Sequence, residues 1–105
     1  MDKINDNTLK LISSFLELLK SNNIKIQTAY LFGSYANNTA NKYSDIDIAI
    51  VSDDFTGDLW EDKKTLRNFK SKISWDISPL PLNKDDFENS KFVQDEIIGK
   101  GIRLI

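Results

Sequence analysis

The chain is predicted to be a single α/β (α+β) domain, a sheet packed against helices, and three observations support this. Apolar runs with strand-like patterning fall near Ile24 to Phe32, Asp45 to Val51 and Ile73 to Leu80. Apolar residues at helical spacing lie before, between and after them. The length of 105 residues suits one modest core and leaves no room for a separate substrate domain.

In the first helix Leu9, Ile12, Leu16 and Leu19 recur at helical spacing, and Leu11, Phe15 and Leu18 widen the stripe. Asn5, Asp6 or Asn7 can cap it, and Ser21-Asn22-Asn23 ends it. So wide a stripe belongs against the sheet. The first strand begins as an alternation of Ile24 and Ile26 with Lys25 and Gln27, then becomes continuously apolar at Tyr30-Leu31-Phe32. The change implies burial on both faces near its end, which puts Gly33-Ser34 at the carboxyl edge of the sheet, where ligands sit in open α/β sheets. A strand ending in Gly-Ser at a helix start offers N–H groups and a hydroxyl to an anion, and glycine permits close approach.

Residues 35–44 are polar, and Asp45-Ile46-Asp47 then opens the second strand. Residues two apart on a strand share a face, so the two carboxylates point the same way about 7 Å apart. Asp is depleted in strands, and two within three residues need a reason. A bound cation resolves their repulsion, and an oxygen-only donor pair suits a hard ion such as Mg²⁺. Ile46, Ile48 and Ile50 form the opposite, core face and fix the register, since a slip of one residue would bury the carboxylates.

Ser52-Asp53-Asp54 and Gly57-Asp58 mark a loop around Phe55. Asp58 can cap a helix reaching about Lys72, with Leu59, Leu66, Phe69 and Ile73 as its apolar edge. Its other face carries Lys63, Lys64, Arg67, Lys70 and Lys72, either solvated or placed to draw in a triphosphate. The third strand, Ile73 to Leu80, is expected to end at Pro79 and Pro81, with Asp76 in its middle between Trp75 and Ile77. A lone carboxylate there is costly unless paired or metal-bound. A last helical region starts at Asn83 or Asp85, buries Phe87, Phe92, Val93, Ile97 and Ile98, and leads to a short strand from Ile102 to Ile105.

A formal charge of −2 and a pI near 5.0 argue against non-specific nucleic-acid binding. Without cysteine there are no disulfides or thiolate zinc sites, and without histidine a general base must be a carboxylate, Lys or Tyr. No run reaches bilayer-spanning length and no signal-like segment opens the chain, so a soluble cytoplasmic protein without membrane partners is expected.

Gly33-Ser34, ten residues, then Asp45-x-Asp47 resembles the signature of the minimal nucleotidyltransferases of the DNA polymerase beta superfamily. The resemblance implies a single-domain nucleotidyltransferase fold over residues 1–105, with a mixed β-sheet flanked by helices. It further implies transfer of a nucleoside monophosphate, AMP above all, from an NTP to a hydroxyl acceptor. Asp45, Asp47 and Asp76 would be the catalytic and metal-binding residues for two Mg²⁺ ions, with Gly33, Ser34 and Lys42 binding the nucleotide. The family's usual Arg-Gly pair is replaced by Asn37 and Asn38, so Lys42 would supply the missing charge, without the bidentate fork of arginine. There is no Walker A pattern, so attack at the α-phosphorus is expected. Relatives pair with small helical HEPN-type proteins, some adding AMP to a partner tyrosine as antitoxins. Such a partner, in a homo- or hetero-oligomer, is expected here, docking near Phe55, Trp60 and the outer side of the first helix. The alternative is an antitoxin that acts by binding alone.

Overall fold

The structure, a computed structural model, describes residues 4, 6–37, 39, 40 and 44–105. Helix α1 (Asp6–Ser21) is followed by β1 (Thr28–Phe32), a 3₁₀ turn (Gly33–Tyr35) and β2 (Ile46–Val51). Then come α2 (Leu59–Lys70), β3 (Ile77–Leu82), α3 (Lys84–Asn89), a π-helical turn (Val93–Ile98) and β4 (Ile102–Arg103). The sheet order is β3-β2-β1-β4. Strand β1 runs antiparallel to both β2 and β4, whereas β2 and β3 are parallel, joined through α2, so the sheet is mixed as the resemblance implied.

Helix α1 stops where Asn23 takes a left-handed φ of 66°, and the Ile24 and Asn23 N–H groups return to the Leu19 and Lys20 carbonyls, each at 3.1 Å. Ile12, Phe15, Leu16 and Leu19 of α1 and Leu66 of α2 pack on the sheet face formed by Leu31, Ile46, Ile48, Ile50 and Ile77. Leu9 and Leu59, expected on apolar edges, are exposed instead. The opposite face, from Ala49 and Val51 to Leu82, is covered by Val93 and Ile97. Both faces of β2 are therefore core along its second half, and the carboxylates lie where the covering stops. Among the described residues no helix is long and apolar enough to cross a membrane.

Several elements differ from expectation. Strand β1 starts only at Thr28, although Ile24 and Ile26 still pack against the core. Strand β3 begins at Ile77 and runs through both prolines instead of ending at them. The reason is its place at the sheet edge. Ile46 N–H donates to Asp76 C=O at 2.8 Å and Ser52 N–H to Leu82 C=O at 3.0 Å, so even-numbered residues of β3 bond inward. Positions 79 and 81 face outward, where no ladder partner is lost and a proline blunts the edge. The last helical region is divided at Ser90, whose extended backbone (φ −80°, ψ 125°) ends α3, and Phe92 stays exposed.

Candidate active site

Strand β1 delivers Gly33 to the sheet edge opposite Asp47, because Phe32 is the residue in register with Asp47. Gly33 adopts a φ of 72°, and a Cβ built there would collide with the Asp47 Oδ2. The residue must be glycine on both counts: L side chains disfavour that backbone, and the carboxylate occupies the space. Ser34 follows in the 3₁₀ turn, which has no side-chain cap and is closed by bonds from the Ala36 and Asn37 N–H groups to the Gly33 carbonyl, at 3.1 and 3.0 Å. The first N–H groups of such a turn have no carbonyl one turn back to bond.

Asp45 is exposed just before β2, and Asp47 is half-buried within it. Burial pushes the Asp47 carboxyl above its usual 3.8, the neighbouring Asp45 charge pushes it the same way, and a hydrogen bond with the Ser78 side chain pulls it back. Ser78 is the β3 residue in register with Asp47. Its contribution was not read from the sequence. The sequence carries no local signal for it, because the pairing depends on β3 becoming the parallel neighbour of β2.

Asp76 lies outside β3, one residue before its start, and is exposed; the expectation of a carboxylate buried in mid-strand is corrected. Among the described residues no three acidic side chains group as metal ligands. Asp45 and Asp47 are brought together, and Asp76 stands at the mouth of the adjoining strand. Lys42 and Asn38 lie outside the described residues. Phe55, expected at a docking surface, is only 8% exposed and packs in the core, whereas Trp60 is 79% exposed.

A glycine turn facing a carboxylate pair with oxygen donors alone fits a phosphate beside a hard cation. Known proteins resemble the chain in sequence and in fold. Residues 14–105 match the family described as polymerase beta, nucleotidyltransferase. The protein adenylyltransferase MntA of Shewanella oneidensis is 38% identical over 63 residues, 58% of this chain and 41% of that protein, so the chain spans less than half that relative's length. A solved toxin-antitoxin structure with AMP-PNP superposes with a TM-score of 0.58 at 28% identity, covering 89% of this chain and 71% of that one. A tri-AMPylated Shewanella oneidensis HEPN toxin in complex with MNT antitoxin gives 0.53 at 26% identity, covering 94% and 71%. The family match takes in both the glycine turn and the two aspartates, and the chain belongs to the polymerase beta nucleotidyltransferase family.

Proposed function

We propose that this chain transfers AMP from ATP to a hydroxyl, that of a tyrosine on a HEPN-type partner protein, and so acts as an antitoxin in the cytoplasm. The observation that carries the reading is the bare Gly33 backbone set against the Asp47 carboxylate, which lets a triphosphate approach the acidic pair closely. The AMP-PNP and AMPylated-toxin complexes of relatives supply the nucleotide and the class of acceptor.

The Gly33-Ser34 turn holds the β- and γ-phosphates, with Lys42 a further cation for them. Asp45 and Asp47 would hold Mg²⁺, and Asp76 would help hold a second ion. Metal held there would supply positive charge against the triphosphate and the charge that develops during transfer. The acceptor hydroxyl oxygen forms a bond to the α-phosphorus as the α–β bridge breaks and pyrophosphate leaves. Its proton passes to Asp76, the exposed carboxylate at that edge. Label at the α-phosphate of ATP should therefore mark the partner, and γ label should appear only in pyrophosphate. Transfer of γ label to protein would overturn the assignment.

A second reading, neutralisation by binding without catalysis, is favoured by one feature: Asn37 stands where the family's arginine would make a phosphate contact. Under that reading α label never reaches a bound partner, while the complex still forms.

A further inference from the structure

A cleft of about 450 Å³ separates α2 from the outer edge of β3. Trp60, Lys63, Lys64, Arg67 and Lys70 line one side, and Ser78 and Pro79 the other. Four cations thus share one cleft in a chain of net charge −2. The ion pairs among the described residues are Lys20–Glu17, Lys91–Asp95 and Lys100–Glu96, none of which uses these four. Trp60 is 79% exposed and Trp75, beside the cleft, 62%. The Arg67 guanidinium and the Lys70 ammonium sit 5.9 and 5.6 Å from the Trp75 ring centroid. Solvent-facing tryptophans beside cations that make none of these ion pairs are what an anionic partner with apolar side chains would recognise.

The β3 edge narrows the choice of occupant. Pro79 and Pro81 have no N–H to offer outward, and Lys70 Nζ already donates to the Ile77 carbonyl at 2.8 Å. A peptide cannot extend the sheet here, so recognition runs through side chains. A polynucleotide fits less well, because four phosphate contacts on a net-negative chain lose most of their affinity at physiological salt. Ser78, which lines the cleft, is in register with Asp47, and Trp75 directly precedes the exposed Asp76.

We propose that this cleft docks an acidic segment of the acceptor protein, bound in a conformation other than a strand. Its carboxylates meet Lys63, Lys64 and Arg67, its apolar side chains meet Trp60 and Trp75, and the acceptor hydroxyl arrives beside Asp76. The acceptor assignment rests on the proposed function, whereas the chemistry of the cleft does not.

The test uses the full chain and three labelled probes: a short Glu/Leu peptide, its Lys/Leu counterpart and oligouridylate. The Glu/Leu peptide should bind, quench tryptophan fluorescence, and weaken as salt rises. Lys63→Glu combined with Arg67→Glu, and separately Trp60→Ala, should each weaken it about tenfold. ATP binding and thermal melting should be unchanged in both variants. Equal peptide binding by parent and variants overturns the proposal, as does preference for oligouridylate or the Lys/Leu peptide. A matching loss of ATP affinity in the charge-reversed variant would reassign the cleft to the nucleotide. Asp47→Asn keeps the two ideas apart: peptide binding that survives it, with no AMP transfer even by the parent, leaves the docking groove standing and removes the proposed function.

Discussion

Asp47 and Asp62 are both carboxylates withdrawn from solvent, and their surroundings are opposite. Asp62, 6% exposed, accepts from the Thr56 N–H at 2.9 Å, the Thr56 hydroxyl at 3.0 Å and the Gly57 N–H at 3.0 Å. It fastens the loop after β2 to the first turn of α2, beside the Asp58 cap that accepts from the Trp60 and Glu61 N–H groups. Asp47 has the Ser78 side chain as its partner and a like charge beside it, and its carboxyl is pushed upward. A buried carboxylate with its lone pairs occupied by donors is structural, whereas one left repelling its neighbour at a sheet edge is poised for a cation.

The sharpest break of that comparison is mutational. On the proposed function, Asp47→Asn or Asp45→Asn should lower AMP transfer about a thousandfold, on the order of 4 kcal/mol of transition-state stabilisation, because the acidic pair would no longer hold a cation. Their melting temperatures should stay level or rise as the repulsion is relieved. Asp62→Ala should reverse the pattern, costing about 3 kcal/mol of stability by stripping buried donors of their acceptor while the folded fraction remains active. Calorimetry beside a single-turnover label assay decides it: a less stable Asp47→Asn with an unaffected Asp62→Ala would exchange the two roles.

A smaller effect is expected at Gly33. Gly33→Ala places a methyl against the Asp47 carboxylate on a left-handed backbone and should cost about 1–3 kcal/mol. Adding Asp47→Ala removes the clash, so the double variant should recover part of that stability and none of the activity. Strict additivity of the two changes in a denaturant titration would mean that the contact is unimportant.

The smallest effect is on pH dependence. A carboxyl raised in the folded state ionises later than in the unfolded chain, so the native state loses stability as pH rises from about 3.8 through the shifted value. Asp47→Asn should therefore gain stability over the parent above that window and match it below. Cation binding should run the other way and fade as pH falls through the same window, at a higher pH than for an ordinary carboxylate. Identical pH profiles for parent and Asp47→Asn would show that Asp47 is an ordinary surface acid.

Much of the fold could be read in the chain because it depends on local periodicity. The Ile46-Ile48-Ile50 alternation sets the register of β2, and Asp58 caps α2 as its position suggested. The prolines of β3 misled because their meaning depends on whether a strand is central or at an edge, which no local pattern states. Phe55 and Leu59 exchanged their expected places because burial of single apolar residues near a loop is decided by how the loop folds back. Asp76 looked buried between Trp75 and Ile77, yet the strand begins one residue later and leaves it in solvent.

By itself the sequence determined the element types, the core face of β2 and the pairing of Gly33 with Asp45 and Asp47 at one edge, because periods of two and 3.6 and the needs of glycine and carboxylate act over a few residues. Only the tertiary structure decided that Ser78 reaches Asp47 from a parallel neighbour and that two prolines face outward. It also decided that the basic side of α2 closes a cleft against β3. Those features depend on which strands become neighbours, a choice made by burial across the whole chain.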